Sequence, residues 1–535
     1  MVPVLSVAET RELEDVISRY GVSAAELMEN AGEAVAKSVA VYNPTKVCIL
    51  CGFGNNGGDG WVAADILSHS GIDVDVVTPV NPDEIKAPLA RHVARRTQCR
   101  DVKVHVGPAR DELESLVDAA DVVVDALLGT GFHGEIRVPF TIWMDVLEEI
   151  NPLTVSVDIP SGLDADTGIV KDCCVNADET VTMLAPKIGL FSSDGPTYCG
   201  EITVAPLCKE RNDALLDIEH TAEKLSAADS FDFIEPLPSN IDKYSRGSAL
   251  IVGGSATYPG AIIMAAKAAA RAGAGYVTVA TPDTCANIVR MAVPSIPVIA
   301  MPSDARGAFS SLAAAAITQL AQKFDAVLCG PGMTSGVGCI DVVQSLLRTD
   351  VAIILDADGL NCLSKSAGGS IDKKPELYRR DAPLIMTPHY RELSRLAGGG
   401  RVRNLYTAIQ IAQNLVWAVG SSDLLVVAKG PTTAVVSPEH ATLPISGPAS
   451  LATAGSGDVL AGILVGIIAS TRSCGNWELL ASYAVAIHSF AGYAAAEKFG
   501  ERSVIATDLI DLIGPAMQSV EDSALAELSD NDSDK

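Results

Sequence analysis

Aspartates stand at the ends of two short β-branched runs in the first half of the chain: Asp125 closes DVVVD and Asp158 closes TVSVD. In an open α/β sheet, ligands bind beyond the carboxyl ends of the strands, so carboxylates on that rim can act as acid, base or cation ligand. A third run, KVCIL from Lys46, leads into CGFGNNGGDG (Cys51 to Gly60), which opens a helical pattern. Its glycines allow backbone to approach a ligand, and a helix N-terminus favours an anion. Asn55, Asn56 and Asp59 add polar groups that a plain turn does not need. The loop lacks the Gly-Lys-Ser/Thr of a Walker A loop and the register of a G-x-G-x-x-G fingerprint. In the second half, DLLVVAKG runs into KGPTT (Lys429 to Thr433), and ATAGSGDVLAG (Ala452 to Gly462) feeds an apolar helix. A glycine turn opening a buried helix offers amides to a phosphate, and Asp458 on that turn can take a proton from an attacking hydroxyl. The plainer role for each of these aspartates is to cap a turn or a helix.

The elements that must position these groups alternate in type. In the first half, runs at Lys46, Asp73, Lys103, Asp121, Thr154 and Thr180 are separated by helical patterns such as WVAADILSHS, and two helical patterns precede the first run. In the second half SALIVGGS, YVTVATP, AVLCGPG, VAIILDADG, PLIMTPH and DLLVVAKG repeat the rhythm. Such alternation predicts βαβ units and a mostly parallel sheet in each half, an α/β chain. At 535 residues the chain exceeds one ordinary core. Around 212–230 it turns polar and helical without strand signals. The expected division is a domain over 1–212, a linker over 213–230, a domain over 231–515 and an acidic flexible tail over 516–535.

Charge narrows the partners. With 39 Lys and Arg against 66 Asp and Glu, the net charge is −27. That surface repels phosphate backbones, so no nucleic-acid partner is expected, and a nucleotide site must supply its own cations, amides or metal. The twelve cysteines show no framework spacing. Cys48 and Cys51 form a C-x-x-C inside an apolar strand pattern and read as buried thiols, which fits a reducing cytoplasm. The opening MVPVLSVAETRELED is no signal peptide, and the run from Val459 to Ala469 is too short to span a bilayer, so no membrane partner is expected.

LMENAG (Leu27–Gly32), GFGNNGGDG, VVDALLGTG (Val123–Gly131), SVDIPSGLDADTG (Ser156–Gly168) and APKIGL (Ala185–Leu190) resemble, in order, the NAD(P)H-hydrate epimerase family. The resemblance covers residues 1 to about 210 and implies a Rossmann-like three-layer domain. It implies a hydrate pocket lined by Asn55, Asn56, Gly57, Gly58 and Asp59, and by Gly129, Thr130, Gly131, Phe132, His133, Gly134 and Glu135. Asn56, Asp125 and Ser161 would surround a potassium ion, hard oxygen ligands suited to it. Asp158 would touch the substrate and is the candidate acid/base, with Lys187 a weaker one because a Lys near a strand end is most often a solvated charge.

GGSATYPGA (Gly253–Ala261), CGPGM (Cys329–Met333), LDADGLN (Leu355–Asn361), TPHYRE (Thr387–Glu392), KGPTT and TAGSGD resemble the NAD(P)H-hydrate dehydratase family over about residues 235–515. A ribokinase-like α/β domain is implied. Ala261, Gly332, His389 and Asp458 would contact the hydrate. Lys429, Gly430, Pro431, Thr432 and Thr433, with Ala454, Gly455, Ser456 and Gly457, would hold ADP or ATP, with magnesium. Two departures stand out: Tyr390-Arg391 where relatives carry Pro-Gly, and SGPASLA where relatives often carry an Asn. The implied substrates are NADH hydrate and NADPH hydrate, with a hydroxyl on C6 of the ring. Phosphorylating that hydroxyl makes it a good leaving group, with Asp458 as base, and only one C6 epimer reacts. That gives a reason for an epimerase in the same chain. A homo-oligomer in the cytoplasm is expected. The alternative is a sugar or vitamin kinase fused to a non-catalytic interaction domain, against which Asn56, Asp125 and Asp158 weigh.

Overall fold

The computed structural model describes the chain except residues 133, 227–228, 230–241, 375–379, 420–422, 472–474 and 534–535, and without side chains at 372, 419 and 525–533. Contacts divide it into two units between Ala222 and Glu223.

The first unit opens with β1 (Val2–Val4), α1 (Val7–Arg19) and α2 (Ala24–Val41). Ser6 and Ser23 start these helices, each accepting an amide from the glutamate three residues on while that glutamate reaches back. The strands are β2 (Lys46–Cys51), β3 (Asp73–Thr78), β4 (Lys103–Val106), β5 (Val122–Ala126), β6 (Thr154–Val157), β7 (Glu179–Met183) and β8 (Glu201–Ala205). They form a parallel sheet in the order β4-β3-β2-β5-β6-β7-β8. Both faces are covered. Cys48 packs in the layer with Trp143, and Cys51 in the opposite layer with Trp61, so the C-x-x-C pair points to two different cores. The strand order reverses between β2 and β5, and such a switch point leaves a crevice at the strands' carboxyl ends.

The second unit contains β9 (Ala222–Lys224), β10 (Ser248–Val252), β11 (Tyr276–Pro282), β12 (Val298–Met301), β13 (Ala326–Cys329), β14 (Ala352–Leu355), β15 (Leu384–Met386), β16 (Leu424–Ala428), β17 (Ala434–Val436) and β18 (Ala441–Leu443). Their order is β9-β18-β17-β16-β15-β14-β13-β10-β11-β12, parallel from β12 to β16 and antiparallel across β17. The helix Ser456–Ser470 is buried nearly all round. Gly462 and Gly466 permit this: a Cβ on either would lie 2.4 or 2.6 Å from the backbone oxygens of Ala265 and Ala269 on the helix Pro259–Arg271.

Two expectations are corrected. The stretch 213–230 is not strandless, because β9 lies in it and pairs with β18. Residues 516–524 are no frayed tail. They continue the helix Ala506–Ser533, which buries Ala516, Val520 and Ala524 at four-residue spacing. One helix, Trp477–Phe499, is long and apolar enough to cross a membrane, and 72% of its apolar window is buried inside the fold.

Candidate functional site

The first unit holds a cavity of about 690 Å³ at the switch point. Asn55, Asn56, Asp59, Gly129, Thr130, Gly131, Phe132 and Asp158 line it, joined by Thr10, Arg11, Glu14 and Asp15 of α1. α3 (Asn55–His69) begins directly after Gly54, so the glycine-rich stretch is the first turns of a helix rather than an open loop. Gly57 and Gly58 therefore serve packing. A Cβ on Gly57 would lie 2.3 Å from Gly52 O, and one on Gly58 would lie 2.7 Å from the methyl of Met28. Neither lines the cavity, which corrects their expected role. Gly134 and Glu135 are exposed and outside the cavity lining, and His133 lies outside the described residues.

Asp125, at the end of β5, is fully buried. Its Oδ2 accepts Ser156 Oγ at 2.9 Å and Ser161 N at 2.8 Å, while Oδ1 accepts Ser161 Oγ at 2.6 Å and Leu127 N at 3.3 Å. Burial raises its pKa, and these bonds oppose the rise. Every one of these donors is neutral. Asn56 packs against Gly129, where a Cβ would lie 3.1 Å from Asn56 Oδ1, and its Nδ2 is buried without a hydrogen-bond partner. A buried carboxylate with no cationic donor among the described residues, beside hydroxyl oxygens, fits a hard cation.

Asp158 follows β6 with φ +66°, a strained conformation for a non-glycine residue. Its Oδ1 accepts Met183 N at 3.1 Å and the Lys187 ammonium. Lys187 is wholly buried and also donates to Met183 O at 2.7 Å and Thr182 Oγ1 at 3.4 Å. The expectation of a solvated lysine is corrected: it is an internal anchor for Asp158. Glu14, which sequence reasoning missed, faces this pair. Burial raises its carboxyl, Lys187 pulls it down, and Asp158 pushes it up, for a net rise. Asp59 is raised well above the carboxylate range by burial, then by Asp158 and Glu14.

In the second unit, Lys429 follows β16 and Asp356 follows β14. They join at 2.6 Å, and Thr387 Oγ1 donates to the same carboxylate oxygen at 2.7 Å. Burial pulls the Lys429 ammonium down, but Asp356 and Glu392 outweigh it and hold it up. Asp356 is followed by Ala357 at φ +49°, a second strained residue at a strand end. Asp358 accepts Thr334 N at 2.8 Å and Asn361 Nδ2 at 3.0 Å. Asp458 makes no hydrogen bond among the described residues. Burial, then Asp356, pushes its pKa up to about 7 against the pull of Lys429.

The glycine turn lies beside this cluster. A Cβ on Gly457 would sit 3.2 Å from Lys429 Nζ, and Gly455, at φ +94°, leaves no room because Met264 would lie 2.6 Å away. Ser456 Oγ is 3.0 Å from Nε2 of the buried His488, whose pKa falls to about 4 through burial, so the imidazole is neutral. Sequence reasoning missed His488, a lone histidine in an apolar helix. Thr432 is buried and accepts Ser446 Oγ at 3.4 Å, while Pro431 is exposed. Gly430 lies under Tyr390, whose hydroxyl would be 2.4 Å from a Cβ there. Tyr390 thus packs on the KGPTT loop. His389 caps the helix Tyr390–Leu396 through Nδ1, which accepts Arg391 N at 3.1 Å and Glu392 N at 3.2 Å. Burial, then Lys429, lowers its pKa, so Nε2 is left to carry the proton. Gly332, at φ +63°, and Ala261 are neighbours, with a Cβ on Gly332 only 3.1 Å from the Ala261 methyl.

Residues 24–189 match the family described as YjeF-related protein N-terminus, and residues 249–515 match the family described as NAD(P)H-hydrate dehydratase. Three relatives carry the name bifunctional NAD(P)H-hydrate repair enzyme. One from Salinibacter ruber is 37% identical over 537 residues, covering 93% of this chain and 92% of that one. One from Coxiella burnetii is 33% identical, covering 94% and 96%. One from Moorella thermoacetica is 32% identical, covering 97% of each.

Proposed function

Since the chain belongs to the family of bifunctional NAD(P)H-hydrate repair enzymes, an epimerase joined to a dehydratase, we propose how its two sites share the work. The 690 Å³ cavity of the first unit takes NADH hydrate or NADPH hydrate and interconverts its C6 epimers. Asp158, fixed through Oδ1 by Lys187 and Met183, offers Oδ2 as acid/base. Asn56, Asp125 and Ser161 would hold potassium. When bound, the ion neutralises the buried Asp125 carboxylate and so anchors the start of α3 to the end of β5.

The second unit dehydrates the S epimer at the expense of ADP or ATP, carried with magnesium. The single observation that best supports this is Asp458: a carboxyl held near 7, without a hydrogen bond among the described residues, one residue beyond the Ser456-Gly457 amides and within the field of Lys429. A base with that pKa accepts the C6 hydroxyl proton at neutral pH. The hydroxyl oxygen attacks the terminal phosphorus, and the Gly455–Gly457 amides and Lys429 stabilise charge on the transferred group. The C6–O bond of the phosphate ester then breaks, phosphate leaves, a ring proton is lost and the dihydronicotinamide is restored. Asp356 and Asp358 would hold the magnesium carried with the nucleotide, their carboxylate oxygens being hard ligands. Ala261, Gly332 and the Nε2–H of His389 would face the hydrate. A cytoplasmic homo-oligomer belongs to the same proposal, and the free, largely buried thiols support the location.

The test uses the full chain with mixed R and S hydrate and either nucleotide, following return of the dihydronicotinamide absorbance. Complete recovery is expected with a preferred donor. A halt once the S form is spent would remove the epimerase assignment from the first cavity, and no recovery with either nucleotide would overturn the second site.

A further inference from the structure

We propose that Glu14 of α1 is a second catalytic residue of the epimerase, working with Asp158 on opposite faces of the hydrate ring. This role rests on the reading of the first cavity as the epimerase site.

On α1, Leu13, Val16 and Ile17 enter the core, while Arg11, Glu14, Asp15 and Ser18 line the cavity, joined by the buried Val7 and Thr10. A wall of the cavity is therefore the polar face of a helix that lies before the sheet. Asp158 reaches the same space from the end of β6, with the buried Lys187 bonded behind it.

The chemistry asks for two groups. C6 carries both the hydroxyl and a bond to ring N1. Epimerisation breaks the C6–O bond as the N1 lone pair forms C6=N1, and the hydroxyl takes one proton and departs as water. Water then adds to C6 from the other face, the C6=N1 pair returns to N1, and one proton is released. One proton enters and one leaves, with no oxidant or other reactant. In a ring held still, the departing and arriving oxygens lie on opposite faces, so one carboxyl cannot serve both. Among the described residues Asp158 accepts hydrogen bonds on Oδ1 alone, which leaves Oδ2 for one face. Glu14 makes no hydrogen bond among the described residues and meets its neighbours only through electrostatics. The groups facing it are Lys187, Asp158, Asp15 and Arg11, and Asp59 from α3. Glu14 keeps access to solvent on the cavity wall, and partial enclosure by the fold together with the neighbouring carboxylates outweighs Lys187 and Arg11, so its carboxyl is raised.

The experiment compares E14Q, E14D and D158N in the full chain, with the dehydratase as an internal folding control. Conversion of R hydrate is measured through the chain's own dehydration of the S form. In E14Q, epimerase kcat should fall by roughly 10²–10⁴ with KM little changed. Dehydration of S hydrate should continue at the wild-type rate, and E14D should recover part of the loss. Glu12, on the same helix but outside the cavity lining, is the control, and E12Q should be wild-type in both activities. A raised KM at unchanged kcat in E14Q would make Glu14 a binding group and overturn the role. If E14Q loses dehydration too, E14D decides: lowered epimerase kcat with intact dehydration supports the role, and unchanged kcat overturns it. An inactive D158N beside an active E14Q refutes Glu14 alone, whereas full epimerase activity in both refutes the cavity as the site.

Discussion

Replacing Asp458 with Asn separates a proton acceptor from a helix-turn residue. The substitution keeps shape, and Asp458 gives up no protein hydrogen bond, so folding should survive. What is lost is the base, and such a loss costs roughly 10²–10⁴ in rate. The wild type offers an independent measure. Burial and the like charges of Asp356 and Asp358 hold Asp458 near 7, and only its ionised form accepts the hydroxyl proton. Dehydration kcat should therefore level off above pH 7 and fall about tenfold per unit below it. D358N removes one repelling charge and should move that limb to lower pH. The assay is turnover of S hydrate at saturating nucleotide across pH, beside nucleotide affinity by calorimetry. D458N should be slow with no limb near 7, and should bind nucleotide as well as wild type or tighter, because a negative charge near the phosphates is gone. Near-normal turnover in D458N, or the same limb surviving in it, would refute the base assignment.

K187M should abolish epimerisation while sparing dehydration, because Asp158 loses its anchor and keeps a buried charge. Breaking a buried pair costs about 3–5 kcal/mol, on the order of 10 °C in the melting of a unit this size, and adding D158N should restore part of it; an unshifted melting transition in scanning calorimetry would refute the buried pair. D125A should likewise cripple epimerisation alone, and exchanging potassium for a bulky organic cation should mimic it in the wild type; unchanged rates in both would remove the cation from the first site.

Most strands that the sequence revealed are buried apolar runs, β2, β3, β5 to β7, β10, β11 and β13 to β16, while β4, an edge strand, was revealed by its β-branched composition alone. The strands it hid are short or lie at margins. β9, β17 and β18 have three residues each, and β12 exposes its middle, so neither length nor alternation marks them. Topology explains why the aspartates were legible. A parallel sheet delivers each strand end to the same rim, so Asp125 and Asp158 could be placed together without any knowledge of side-chain packing. Burial is not delivered by topology. Lys187 read as a solvated charge because nothing in APK tells that three acceptors close around it. Gly57 and Gly58 read as ligand-facing because a glycine needed for close helix packing and one needed for a phosphate look alike in a string of letters. Glu14 was invisible for a third reason. It belongs to a helix before the sheet, where neither a strand end nor a glycine turn points to chemistry, and only the fold of α1 across the crevice gives it a neighbour to act on. An acid or base that comes to a rim from outside the sheet has no positional signature, so the second proton-handling group of such a site has to be sought among the polar faces of the helices that wall it.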